Sequence, residues 1–421
     1  MGSTKVMDRR IRTHLDYNRV AKKILENKKT LIHKKLCFDL LFKSLKMKPN
    51  FFGTYQLLGI YYDDLDDFSK AEINYKKSIR LNKNNISAYI NLFSLYCKQE
   101  KIDQALKIGN KLISIDNFYF DEFYTQLGML YLLNGDFDNG WKFYNYFKQK
   151  ENLSDILNFK GEIVITMDQG IGDNILFCRY GKLLIDKGLT VSYACNCYPK
   201  LINLIKSSGI YHKVYNIEKI NFKDDTKKYV YLPDLLKLLN INPSNSKIQE
   251  PYFFAKKEKV DYWKSKINSQ KIIVGINWQG TKDCEVDLSE GRSFELQEFE
   301  KISKLSNIQL ISLQNGYGRE QLETCSFKDK ILDFGDNLSL DDTSAIIMNC
   351  NIIITPCTMI GHLSGSLGKE TWILIQKIPY WFWGLNTEKN IWYSSVKLFR
   401  QSKNGEWKNV FERLVSRLKL L

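Results

Sequence analysis

The chain has 421 residues, 44% hydrophobic, 26% charged and 13% aromatic, with seven prolines. This is a soluble, globular composition that excludes a peptide hormone, a single small module and a disordered tail; at about 150 residues per domain, it has room for two to three domains with cores of their own. The net charge is +15, and residues 1–50 hold 14 basic against 4 acidic side chains; these are dispersed over a solvated face and form no recognition motif, so nucleic-acid binding is not expected.

Met1 to Asn18 has no apolar leader-like core and no run of about 18 apolar residues occurs anywhere, so no transmembrane segment is expected; the basic start leaves room only for peripheral membrane contact. The nine cysteines are odd in number, scattered and without a CxxC pair. That argues against a disulfide framework or structural zinc and for a reducing, cytoplasmic compartment.

A period of 34 to 35 residues follows. Tyr55, Leu58, Gly59, Tyr62 and Ala71 recur as Tyr89, Leu92, Phe93, Tyr96 and Ala105, and again as Tyr124, Leu127, Gly128, Tyr131 and Gly140. Each unit reads as two helices with a small residue on the second that permits close approach, separated by a turn at Asp66–Phe68, Glu100–Ile102 and Gly135–Phe137. The pattern resembles the tetratricopeptide repeat. Residues 1–50, with Cys37 at the small-residue position and Pro49 at the repeat end, read as a basic, degenerate cap, and residues 51–153 as the repeats. Such an array recruits a protein or peptide in its groove, or else only scaffolds or dimerises the chain as a homo-oligomer.

From residue 154 short apolar runs alternate with helical stretches, the signature of parallel α/β layers. Strands are expected at Glu162–Met167, Thr190–Asn196 and Tyr229–Leu232, with a helix at Asn174–Lys187. Residues 240–249 form a polar linker. Further strands are expected at Ile272–Trp278, Gln309–Leu313, Ile331–Phe334, Ile352–Thr355 and Thr371–Ile375, with helices near Phe294–Leu305, Leu340–Cys350 and Ile360–Leu367. The loop Asp168–Asn174 contains Gly170 and Gly172, but Ile175 stands where a dinucleotide fingerprint needs its third glycine, and no acid ends the second strand, so NAD is not expected. Asp173, at a helix N-terminus behind two glycines that let a ligand approach the backbone, either caps its helix or serves as a general base. In the second α/β segment Gln279, Lys282 and Arg292 follow one strand end, and Thr358 and His362 follow another. The two cations and the opening turn of a helix suit a diphosphate.

Together the Gly-Ile-Gly-Asp loop, Gly275–Gly280, Ser312–Gln314, Asp333–Asp336, the Thr-Pro-x-Thr-x-x-x-His-Leu turn and Gly365–Trp372 resemble the heptosyltransferase family, glycosyltransferase family 9. The overall layout is similar to O-linked N-acetylglucosamine transferase. The resemblance implies α + α/β architecture: a helical solenoid, then a GT-B fold of two Rossmann-like domains at 154–250 and 251–400, with a C-terminal helix within 401–421 packing back towards the first. It implies inverting transfer from a nucleotide-sugar without metal or cofactor. Asp173 would be the base, and Gln279, Lys282, Arg292, Gln314, Thr358 and His362 would hold the donor. Three positions depart from the family: Cys357 stands where an aspartate is usual, Met359 replaces a serine, and Tyr380 stands where an acid is often found. The expected acceptor is a protein or peptide. The alternatives are a glycan acceptor of the lipopolysaccharide kind and a non-catalytic adaptor with a decayed donor site.

Overall fold

The computed structural model describes residues 13–26, 31–115, 121–144, 152–167, 170–195, 199–242, 248, 250–282, 285, 291–336, 338–385, 388 and 390–421. The chain divides into two compact units, one up to Leu130 and one from Tyr131 onwards. The division thus falls within the Asp121–Leu133 helix, ahead of the boundary at residue 153 that the repeat pattern suggests.

The first unit is a series of antiparallel helix pairs: His14–Glu26 with Leu31–Met47, Phe52–Asp63 with Phe68–Leu81, and Ile86–Lys98 with Ile102–Ile115. The small residues the repeat requires are fully buried, Ala71 and Ala105 among them. Cys37 takes the same place in the cap, its thiol 3.8 Å from the Ala21 carbonyl oxygen. Each turn of the period is made by one left-handed residue, Asp66 (φ 57°), Glu100 (φ 60°) and Gly135 (φ 83°). The next amide then bonds back to the carbonyl of the repeat tyrosine: Asp67 to Tyr62, Lys101 to Tyr96 and Asp136 to Tyr131, each at 2.9 Å. These bonds satisfy carbonyls that a helix end leaves open.

The repeats also exchange a large and a small residue between fixed positions. In the first, a β-carbon on Gly59 would meet the Tyr75 ring at 2.3 Å; one period later Phe93 replaces the glycine and Gly109 replaces the tyrosine, where a β-carbon would stand 3.5 Å from the Phe93 ring. Packing density is kept while its source moves from one helix to its partner.

The second unit contains two wholly parallel sheets. The first runs in the order β3-β2-β1-β4, with β1 at Glu162–Met167, β2 at Thr190–Cys195, β3 at Val214–Asn216 and β4 at Lys227–Tyr231. The second runs β10-β9-β8-β5-β6-β7, with β5 at Ile272–Ile276, β6 at Ile308–Ser312, β7 at Ile331–Leu332, β8 at Ile352–Pro356, β9 at Thr371–Ile375 and β10 at Val396–Arg400. Both follow the Rossmann strand order, the first in truncated form, so the chain reverses direction beside β1 in one sheet and beside β5 in the other. Central strands are apolar on both faces, as covered parallel sheets require: Ile163, Val164, Ile165, Ile353 and Ile354 are all fully buried. The expected fold class, a repeat array followed by two Rossmann-like domains, is the one observed. No helix among the described residues is long and apolar enough to cross a membrane.

Several elements differ from the sequence reading. The short strands β3 and β10 are additional. The expected helix Asn174–Lys187 is three pieces, Ile171–Phe177, a 3-10 turn at Cys178–Gly181 and Lys182–Ile185. The break coincides with Gly181, where a β-carbon would lie 2.4 Å from the Tyr211 hydroxyl. Likewise Phe294–Leu305 is a 3-10 turn at Leu296–Phe299 followed by Glu300–Ser303. The C-terminal helix, Lys408–Leu418, does not return towards the first sheet. Its apolar face, Val410, Phe411, Leu414 and Leu418, is complementary to the second sheet's core and joins it, with Phe411 5.2 Å from Phe294 and 5.1 Å from Phe299 between ring centres. Asp168, Gln169, Asn196, 243–247 and 249, from the loop, strand and linker read above, lie outside the described residues.

Two substitutions test the repeat geometry in chemical denaturation. Asp66→Gly, at an exposed left-handed position, is expected to stabilise by up to about 1 kcal/mol. Gly59→Ala is expected to cost about 1–3 kcal/mol by driving a methyl into Tyr75.

Candidate active site

The site is built where the two direction reversals meet. The Ile171–Phe177 helix begins right after the β1 loop, with Gly170 at its N-cap. Asn174, fully buried, fixes that loop: its amide group donates to the Gly170 carbonyl at 3.0 Å and accepts from the Tyr193 hydroxyl at 2.8 Å. Asp173 is in the helix's first turn, its carboxylate so near Gly170 that a β-carbon there would lie 3.3 Å from Oδ2. Burial pushes the Asp173 carboxyl up to about 6, while the nearby Arg292 guanidinium and the aspartate's own amide pull the other way. The carboxylate therefore keeps its charge at neutral pH but holds a proton more tightly than an ordinary aspartate.

Gly172 is pressed against the second sheet. A β-carbon at this position would meet His362 Cδ2 at 2.8 Å. His362, in the Met359–Ser366 helix after β8, is 3% exposed. Its Nδ1 is 3.2 Å from the Tyr393 hydroxyl and its ring stacks on Trp383 with centres 5.2 Å apart. Burial, reinforced by Arg179 and Arg292, drives its pKa down to about 3, so the imidazole is neutral. The structure thus places His362 in the joint between the loops.

At the end of β5, Asn277 ties the reversal together. Its Oδ1 accepts from Thr355 Oγ1 at 3.1 Å and Thr358 Oγ1 at 2.8 Å, and its Nδ2 donates to Gln314 Oε1 at 2.6 Å. Gln314 is 4% exposed, and its Oε1 also accepts from the Trp278 and Gln279 amides while Nε2 donates to the Gln279 and Tyr317 carbonyls. Its hydrogen-bonding capacity is consumed inside the fold. Gln314 is a brace for the 277–280 loop. Thr358 is partly buried; its hydroxyl bonds Asn277 and lies 3.0 Å from the Thr355 hydroxyl.

The Gln279 side chain lies against Gly318, and its Nε2 donates to Glu295 Oε1 at 3.3 Å. Gln279 is 9% exposed and its Oε1 has no hydrogen-bond partner among the described residues, nor has Arg292 Nε. The guanidinium lies along Gly280, where a β-carbon would meet Nη2 at 2.8 Å. Arg292 Nε is 3.7 Å from Glu285 Oε1, and Ser293 links Glu285 to the Gly280 amide. Lys282 is exposed at the rim of the same loop. Cys357 is 8% exposed; its sulfur accepts the Trp383 indole N–H at 2.9 Å, and burial pushes the thiol up to about 11. It is a protonated thiol and not a nucleophile.

The structure therefore gathers Asp173, Gly172, Arg292, Cys357 and His362, and assigns Gln314 and Thr358 to support. Sequence reading overlooked Asn277, Trp383 and Tyr393. Asn277 lies inside the Gly-Ile-Asn-Trp-Gln-Gly motif and was there to be found; Tyr393 carries no local signal.

Residues 52–85 match the tetratricopeptide repeat family. No curated protein matches the chain. Among solved structures, a glycosyl transferase family 9 protein from Veillonella parvula is 13% identical with a TM-score of 0.45, covering 62% of this chain and 97% of its own. The ADP-heptose lps heptosyltransferase II of E. coli is 10% identical with a TM-score of 0.44, covering 62% and 98%. MamA is 21% identical with a TM-score of 0.30, covering 34% and 80%.

The desolvated carboxylate carries a stability cost with a definite sign. Between its ordinary value and about 6 the folded chain binds more protons at Asp173 than the unfolded chain, so this group's contribution falls as pH rises through that window. Asp173→Asn is expected to raise stability by about 1–3 kcal/mol at pH 7.5, and the gain is expected to vanish near pH 4. Paired denaturant melts at the two pH values check it.

Proposed function

We propose that this chain is an inverting glycosyltransferase. A nucleotide-sugar binds at the β5/β8 reversal, and its sugar passes to a hydroxyl of a protein or peptide recruited by the helical repeats. The observation that carries the reading is Asp173, a carboxylate pushed up to about 6 beside the Arg292 cation where two Rossmann reversals meet. A base with a pKa near the working pH is ionised yet able to accept a proton.

In the proposed step the acceptor hydroxyl gives its proton to Asp173 as its oxygen attacks the anomeric carbon. The bond from that carbon to the diphosphate oxygen breaks on the opposite face, and its electron pair leaves with the nucleoside diphosphate. Arg292, with Lys282 at the rim, meets the charge that develops on the leaving group, and no metal is assigned a part. Gln279 Oε1 supplies an acceptor for a donor N–H or O–H.

Cys357 favours a second reading. The turn lacks a carboxylate, and its thiol is already engaged by Trp383. On that reading the site has decayed and the repeats alone bind a partner.

A thermal-shift panel with UDP, GDP, ADP, CMP and dTDP separates the two. The transferase reading expects one nucleotide to raise the melting temperature, since a ligand at 100 times its Kd adds about 2.7 kcal/mol; response to none supports the adaptor. With the responding sugar-nucleotide, Asp173→Asn is expected to lower transfer at least about a hundredfold, and wild-type transfer to fall off below about pH 6. Mass spectrometry of protein and glycan fractions identifies the acceptor class, and undiminished transfer by folded Asp173→Asn would remove Asp173 as the base.

A further inference from the structure

We propose that Arg179 and Glu250 form a latch that fixes the angle between the two parallel sheets and so positions the helix bearing Asp173. The role given to Asp173 rests on the function proposed above; the latch itself rests on geometry alone.

Arg179 lies in the 3-10 turn directly after the Asp173 helix, and its side chain is 3% exposed. Its Nη1 is 3.2 Å from Glu250 Oε1. Glu250, at the end of the linker, turns its other oxygen to the second sheet: Oε2 accepts from both the amide and the hydroxyl of Ser394 at 2.8 Å. One carboxylate therefore spans the first sheet's turn and the approach to β10. The guanidinium is also enclosed by the rings of Tyr180, Tyr252 and Tyr393, at 5.4, 5.2 and 5.0 Å from their centres. Such a cage stabilises a cation that burial would otherwise penalise.

The three tyrosines belong to three segments, and two of them carry the restraint onwards. The Tyr252 hydroxyl donates to the Ile175 carbonyl at 2.9 Å, holding the middle of the Asp173 helix to the linker. The Tyr393 hydroxyl meets His362, whose ring abuts Gly172 at the other end of that helix. The Asp173 helix is thus gripped at both ends by groups converging on Arg179. A buried ion pair is weak evidence of stability in itself; its value here is in specifying one arrangement of two sheets. Arg179 and Glu250 are positioning residues, since neither is placed to touch a substrate.

Hydrogen exchange followed by mass spectrometry on the full chain tests this without reference to catalysis. Glu250→Gln keeps the shape but removes the charge and one of the two acceptor oxygens, so the Arg179 bond or the Ser394 bonds are lost, whereas Arg179→Ala would also empty the tyrosine cage. The latch predicts that exchange rises about tenfold in 171–177 and 359–366 while 52–98 and the central strands β5 and β9 keep their protection. Ser394→Ala, which removes one of the two bonds to Oε2, is expected to give a smaller rise in the same two segments. Unchanged protection in both segments, or an equal rise throughout the second unit, overturns the proposal. Loss of the proposed base in an Asp173→Asn transfer assay leaves this result standing, so the two readings fail separately.

Discussion

The contact on which the site depends is steric: an imidazole lies where the side chain of Gly172 would be. Because that position is bare, the loop after β1 and the helix after β8 approach until His362 touches backbone. Asp173, the next residue, is partly buried and feels the Arg292 charge. A β-carbon at Gly172 would meet His362 Cδ2 at 2.8 Å, so the ring or the loop would have to give way. Gly280 plays the same part on the other wall, leaving the Arg292 guanidinium to lie along the chain.

The electrostatics follow from that closure. Removing water raises the cost of every charge, and the site answers in different ways. His362 gives up its proton, Cys357 retains its own, and Arg179 is wrapped in tyrosine rings and paired with Glu250. Asp173 is pushed up to about 6, held between desolvation and Arg292. A group kept at that balance reduces stability, and stability is what active sites commonly give up for reactivity. An acid at position 357 would add a further negative charge close to Asp173; the thiol there is bonded to Trp383, and Arg292 is shared between the pull of Asp173 and its ion pair with Glu285.

Much of this was legible in the sequence, and what was not has a physical reason. The 34-residue period fixed the helix pairs because each repeat must solve the same packing problem, down to the left-handed residue at Asp66 and Glu100. Strands β1, β5, β8 and β9 announced themselves as apolar runs because both their faces are buried. The strand β3 is three residues long and partly exposed, so it has no such run. The bonding of Gln314 and His362 was not legible because a polar residue near a strand end looks the same whether it faces a ligand or braces a loop. Only its bond partners distinguish the two, and for Gln314 they lie about 35 residues back at Asn277 to Gln279. Arg179 escaped notice because its partners, Glu250 and Tyr393, are distant in sequence and individually unremarkable.

The central claim is that Asp173 is a carboxylate held near neutral acidity at the joint of two Rossmann reversals. Carbon-13 NMR titration of the full chain with labelled aspartate carboxyls tests it most directly, with Asp173→Asn assigning the resonance. The account predicts one carboxyl that titrates near pH 6 and is absent from the variant. A resonance assigned to Asp173 that titrates near 4, as an exposed aspartate does, would contradict it.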